Sequence, residues 1–368
     1  MSDSSNEPLF PNGPPSWPMH SESVTAALAA AAEDGSWGKY HGPNTERFRS
    51  DLLTWSGCSH VELCSSGTAA SELALRAFKV GNGDEVILAA YDYAASFKNT
   101  LSLGAMPVLV DVDPADCTIR IDQIEEAISP KTKAIVVSHL HGGVCDMPAV
   151  MKIAERHGIA VLEDACQATG GTLSGRRLGS FGTLGIISFG GSKLMTAGRG
   201  GAIFGNDEQL FQRMHLHSFR GNTAYPLSEL QAAVLVPQLE VLEAANRHRT
   251  KRVRDLQEAI ANLDGLDCTA IRTDTEPAWY KVGLRVTDVA KCTRDEFATA
   301  ARGAGVACDR SLHALHTVHS KRRYRAIGDL SGAECVNENS LQLHHPILLG
   351  TPGDIQRVAT VFARILEG

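Results

Sequence analysis

No run of about 18 consecutive apolar residues occurs in the 368-residue chain, so nothing in it is built to cross a membrane as a helix. A C-x-x-C pair is missing too: the nine cysteines, at positions 58, 64, 117, 145, 166, 268, 292, 308 and 335, are scattered. That spread argues against a zinc site or a disulfide frame, and no metal is expected. It fits buried thiols in a reducing, cytoplasmic compartment. An excess of basic charge is absent, since 35 Lys and Arg face 42 Asp and Glu for a net charge of -7. No nucleic-acid surface is therefore expected. Internal repeats and low-complexity linkers are lacking, so any two domains should pack closely. The opening stretch, Met1 to Pro18, has no apolar signal segment; polar and proline-rich, it reads as a flexible or draped arm.

What is present is an ordinary globular composition, 43% apolar and 21% charged, long enough for a large domain and a smaller one. From Glu85 onward apolar runs alternate with helical stretches. Strands at Glu85-Val-Ile-Leu-Ala89, Pro107 to Val110, Ala134 to Val137 and Ile159 to Asp164 are separated by helices near 94–103, 121–128 and 148–157. Continuous apolar strands alternating with helices predict an α/β fold with a parallel sheet covered on both faces. Ligands then collect beyond the carboxyl ends of the strands. Ser66 to Thr68, Tyr93, His139, Asp164 and Ser188 all follow such strands. A long helix should start near Leu227 and run through the basic stretch Asn246 to Arg254, read as a solvated face. Beyond about residue 250 the pattern becomes mixed, with a strand near 279–286 and helices near 294–302 and 354–366. The expected division is an arm over 1–20, a large domain over 21–248 and a small α+β domain over 249–368.

Chemistry concentrates between Val161 and Gly201. Asp164 closes an apolar strand, Lys193 sits in Ser188-Phe-Gly-Gly-Ser-Lys193, and the turn Gly198-Arg-Gly-Gly201 follows. A carboxylate and an amine so placed suit pyridoxal phosphate: the lysine forms a Schiff base and the carboxylate keeps the pyridine nitrogen protonated. Upstream, Cys64-Ser-Ser-Gly-Thr-Ala-Ala70 opens a helix predicted over 69–78. Its free N–H groups, with hydroxyls from Ser66 and Thr68, could hold a phosphate, although an ordinary helix cap reads the same way.

These pieces, with Gly83-Asp-Glu-Val-Ile87, Gly104 to Pro114, Lys131 to Ile135, His139-Leu-His-Gly142, Glu163-Asp-Ala-Cys-Gln-Ala168, Gly200 to Ile203 and Ser228-Glu-Leu-Gln-Ala-Ala233, stand in one order along the chain. In that order the chain from about Trp17 resembles the sugar and cyclitol aminotransferases of the DegT/DnrJ/EryC/StrS type, pyridoxal-phosphate enzymes with the aspartate aminotransferase fold. Lys193 to Gly198 and Leu343-His-His-Pro-Ile-Leu-Leu349 are most similar to the scyllo-inosose aminotransferase and 3-amino-5-hydroxybenzoate synthase branch. The resemblance implies an amino group moved from glutamate or glutamine to a ketosugar or ketocyclitol. It implies Lys193 as Schiff-base lysine and proton shuttle, Asp164 at the pyridine nitrogen and Gln167 near the phenolic oxygen. Ser188 and the backbone at Gly67 and Thr68 would hold the phosphate. Tyr93 takes the position of a stacking ring, though a core aromatic is equally compatible. His139, His344 and His345 are candidates beside the substrate, against the commoner reading of satisfied core histidines.

The resemblance also implies a homodimer with shared active sites. Relatives carry Asn-Tyr/Met-Arg before the Ser/Asn-Glu pair, and that Asn reaches the neighbouring subunit's phosphate. Here the three positions are Ala224-Tyr225-Pro226, so either Asn222 substitutes or the contact is lost. Two alternatives to amino transfer remain at this point. One is a dehydratase or aromatising reaction on the same cofactor. The other is a non-catalytic regulatory homologue, whose mark would be loss of Lys193 or Asp164; both are present.

Overall fold

The computed structural model describes residues 9–368. The apolar runs form β1 (His60–Cys64), β2 (Glu85–Ala89), β3 (Met106–Val110), β4 (Thr132–Ser138), β5 (Ala160–Asp164), β6 (Leu184–Ser188) and β7 (Gly201–Gly205). They build one sheet in the order β1-β7-β6-β5-β4-β2-β3, closed at the far edge by the two-residue strand Arg325–Ala326. All neighbouring pairs are parallel except those of β7, which runs antiparallel to both β1 and β6. A parallel return needs a crossover of a dozen or more residues, usually a helix. The link at 189–200 contains four glycines and no helix, so the chain turns straight back. The sheet is mostly parallel, as expected, and its one antiparallel strand is the product of that tight return. The return also hangs the lysine loop directly on the carboxyl end of β6.

Helices cover both faces, and the strands between them are almost wholly buried, as at Ile87, Val108, Val136, Leu162 and Ile186. Each such side chain contributes roughly 1.5–3 kcal/mol. Helix boundaries follow their caps. The first of them near the site begins at Gly67, earlier than predicted, because Ser66 Oγ accepts from Ala69 N–H at 3.0 Å and so fixes the N-cap. The last helix begins at Pro352 because Thr351 and Asp354 close a capping box.

A second, smaller sheet is antiparallel: β8 (Leu266–Cys268), β9 (Lys281–Val286), β10 (Cys308–Arg310) and β11 (Ser340–His344), in the order β8-β9-β11-β10. It packs with the helices Arg294–Gly303 and Pro352–Glu367 around Trp279, Phe297 and Phe362. The helix Glu229–Ile260 serves both cores, burying Leu235, Leu239 and Leu242 in the first and Val253, Leu256 and Ile260 in the second. The sheets meet where the loop after β4 passes under Trp279: a Cβ on Gly142 would lie 2.0 Å from that indole. Of the segment before the first helix, Leu9 and Phe10 lean on the second core and the Trp17 ring meets that of His345 at 4.4 Å. Residues 1–8 of the expected arm lie outside the described residues.

Candidate active site

The carboxyl ends of β1, β2, β4, β5 and β6 open on one cleft of about 410 Å³, walled on the far side by Tyr280, Lys281 and Leu312. Ser66, Gly67, Thr68, Tyr93, Asp164, Gln167, Ser188 and Lys193 all line it. Residues up to 127 positions apart in sequence are thus gathered by the topology. Lys193 Nζ lies 4.2 Å from the centre of the Tyr280 ring. The loop that carries it is pinned from behind: the Gln238 carboxamide accepts from Thr196 N–H at 2.9 Å and donates to Thr196 O at 2.8 Å.

At the other wall the helix Gly67–Ala77 points its N-terminus into the cleft. With Ala69 N–H capped by Ser66, the Gly67 and Thr68 N–H groups have no helical partner and face a position suited to an anion. Gly67 is needed for close approach, since a Cβ there would stand 2.9 Å from Ser188 Cβ and 3.0 Å from Cys166 Sγ. Asp164 has one oxygen tied to Cys166 N–H at 2.9 Å. Gln167 lines the cleft and is otherwise buried, and its Oε1 has no hydrogen-bond partner. Tyr93 is 57% exposed at the mouth, which removes the core-aromatic reading.

The three histidines are elsewhere. His139 is fully buried and donates Nε2–H to Glu163 Oε1 at 3.1 Å, while its Nδ1 accepts from Cys145 N–H. It belongs to a buried knot in which Glu163 also accepts from the N–H groups of Gly179, Phe181 and Gly182. His345 donates to Ser192 O at 3.1 Å, behind the lysine loop. Burial, then the nearby Arg249 charge, push its pKa down to about 2, so it is a neutral donor. His344 stacks on His345 at 4.7 Å and is lowered to about 4, by burial first and then by Lys281 and Arg249. None of the three lines the cleft, so their placement beside a substrate is corrected: His139 and His345 are held by hydrogen bonds inside the fold, and His344 is stacked on His345. Asn222 is not at this cleft either; it lines a separate one of about 160 Å³ with Lys39, Tyr40 and Arg49.

The cleft also holds residues the sequence reading passed over. Asp92 is buried beside Asp164, and burial together with that carboxylate's charge raises its pKa to about 7. It accepts from Ser138 Oγ at 2.7 Å and from Tyr93 N–H at 2.6 Å. Lys281 reaches in from β9, and burial is the main reason its pKa falls to about 8. A lysine between Tyr280 and the apolar Val282-Gly-Leu284 was the available signal.

A phosphate-suited helix end, an unpartnered carboxamide, a carboxylate and a lysine around one cavity fit pyridoxal phosphate, which carries a phosphate, a phenolic oxygen, a basic ring nitrogen and an aldehyde. Comparison with known proteins agrees. The model of the DegT/DnrJ/EryC1/StrS aminotransferase family matches residues 19–363. The L-glutamine:2-deoxy-scyllo-inosose aminotransferase of Streptoalloteichus tenebrarius is 32% identical, over 96% of this chain and 94% of that one. The GDP-perosamine synthase of Caulobacter vibrioides is 31% identical over 90% and 93%. The crystal structure of 3-amino-5-hydroxybenzoic acid synthase superposes with a TM-score of 0.89 at 26% identity, covering 96% of this chain and 98% of that one. With the family model spanning nearly the whole chain and relatives above 30% identity along almost all of it, the protein belongs to the DegT/DnrJ/EryC1/StrS aminotransferase family and is a pyridoxal-phosphate-dependent aminotransferase.

Proposed function

We propose that the protein takes an amino group from glutamine, or from glutamate, and delivers it to the ketone of a ketocyclitol or ketosugar. The observation that carries this reading is the pairing of Lys193 and Asp164 across one cleft, supported by relatives whose names specify glutamine and an inosose. When bound, pyridoxal phosphate supplies the carbonyl that takes up the amine and a ring that withdraws electrons from the substrate carbon. Lys193 Nζ binds it and, once displaced, moves a proton at the substrate carbon that carries nitrogen. Asp164 holds the proton of the ring nitrogen. Gln167 donates to the phenolic oxygen, and Ser188 with the Gly67 and Thr68 N–H groups holds the phosphate. The Tyr93 ring stacks on the ring face, which contributes roughly 1 kcal/mol.

In the same reading residues 21–248 hold the cofactor, 249–368 close over it, and the arm over 1–20 ties the two. The protein acts in the cytoplasm as a homodimer. Exposed Trp37, Tyr40, Leu216 and Phe219, 52–81% accessible, support an apolar partner surface near the Asn222 cleft. Asn222 then reaches the partner's phosphate from outside its own cleft. The test is absorbance of purified holoenzyme, wild type beside Lys193→Ala. Loss of the visible band on adding glutamine, seen in wild type alone, and an aminated product from an inosose are expected. A dehydrated product would overturn the amino-transfer reading.

A further inference from the structure

Two lysines, not one, face the Tyr280 ring: Lys193 Nζ lies 4.2 Å and Lys281 Nζ 5.2 Å from its centre. Lys193 has the cofactor to serve. Lys281, the first residue of β9, has no such assignment, and among the described residues no carboxylate neutralises it. The carboxylate that acts on it, Asp309, is bound to Arg302 at 3.0 Å. Its strand partner is His344, which burial keeps neutral. A half-buried ammonium beside a second lysine is costly unless a ligand brings negative charge.

Of the two substrates in the reading above, on which this inference rests, a ketocyclitol is uncharged. The amino donor is not: an α-amino acid carries its carboxylate one carbon from its amine. An amine delivered where Lys193 Nζ stands carries its carboxylate one carbon away, and Lys281 is the second cation on the same ring. We infer that Lys281 is the residue that selects the amino donor, by pairing its ammonium with the donor's α-carboxylate above the Tyr280 ring. Arg199 also lines the cleft, but it is exposed on the turn at Gly198–Gly200. The pairing explains how one cavity accepts two unlike substrates in turn. The cation engages only the amino acid, and the polyol meets the neutral groups around it, Gln342 among them.

The test is single-turnover loss of the visible band in holoenzyme, with L-glutamine and with L-glutaminamide, whose α-carboxylate is an amide. For Lys281→Met the half-saturating glutamine concentration should rise about 10- to 100-fold, the range of one charge-assisted hydrogen bond. Glutaminamide, poor with wild type, should be no poorer with the variant. Lys281→Arg, which keeps the charge, should recover most of the loss. A rise shared equally by both donors would mark a structural role and overturn the assignment, as would an unchanged glutamine response. A loss confined to a nucleotide-linked acceptor would overturn it in favour of a phosphate partner. Transfer of the defect to Arg199→Gln would overturn the assignment in favour of that arginine. If wild-type holoenzyme answers neither glutamine nor glutamate, the donor reading itself falls, and that is seen before any variant is made.

Discussion

Replacing Glu163 by Gln should destabilise the protein severely while leaving substrate affinities nearly untouched. Glu163 is completely buried, and its two oxygens accept from four donors: His139 Nε2–H and Gly179 N–H on one, Phe181 and Gly182 N–H on the other. A carboxamide has one acceptor, so whichever way it is placed its NH₂ confronts two donors. Losing one side of a buried charged network costs about 3–5 kcal/mol, a large part of the roughly 5–15 kcal/mol that holds a folded protein together. For a chain of this size that corresponds to a melting temperature lower by about 4–6 °C. His139→Gln removes only one donor and should cost about 1–3 kcal/mol. The assays are thermal unfolding of the apoprotein and KM for each substrate. A Glu163→Gln protein melting within about 2 °C of wild type would refute the reasoning. So would a His139→Gln enzyme of normal stability whose KM for the acceptor rises tenfold, because that histidine would then be touching substrate.

Gly67→Ala gains about 1 kcal/mol in helix propensity but sets a methyl against Ser188 and Cys166, where overpacking costs about 1–3 kcal/mol. Cofactor titration of the apoprotein should show at least tenfold weaker binding; equal affinity would remove Gly67 from the phosphate cradle. Asp92 gives a pH signature. Its carboxyl has a pKa of about 7 in the fold against 3.8 unfolded, so between those values the native state binds more protons than the unfolded one. Stability from this group is full below pH 3.8 and is lost as pH rises through 7. Apoprotein Asp92→Asn should lack that slope, and the difference between the two denaturation midpoints should widen with pH over the window; a constant difference would contradict it. Coexpressed Lys193→Ala and Asn222→Ala chains should recover activity that neither shows alone, if Asn222 serves the partner's site; no recovery would place it elsewhere.

The large domain was legible because its signals are local. Apolar strands at Glu85, Pro107, Ala134 and Ile159 and caps such as Ser66 and Thr351 act within a few residues, and strand ends fix where a ligand goes. The histidines were misplaced because adjacency in sequence carries no direction. His139 follows a strand as Asp164 does, yet it turns into the Glu163 knot while Asp164 faces the cleft. Asp92 was eclipsed by Tyr93 beside it, and nothing local shows that burial and a distant carboxylate will raise its pKa. Lys281 lies 88 positions from Lys193, and only the packing of the second sheet against the first brings them to one ring. The antiparallel β7 was readable in principle, since a glycine-rich link without a helix cannot make a parallel crossover.

The strand Arg325–Ala326 has a consequence for how the chain can be made and cut. It covers the outer edge of β3, and Arg325 ties it down through Glu85 at 2.8 Å and the carbonyl of Ala127 at 2.7 Å. Every other strand of the large sheet has emerged from the ribosome by residue 205, more than a hundred residues earlier. Until the later segment arrives, β3 offers unpaired backbone groups along an apolar strand, the kind of template that recruits a second chain. A fragment ending near residue 248 would carry every cofactor-facing group of the lysine loop and the phosphate cradle and still be prone to aggregate through that bare edge. The C-terminal part of the chain thus acts as a built-in chaperone for the sheet that precedes it.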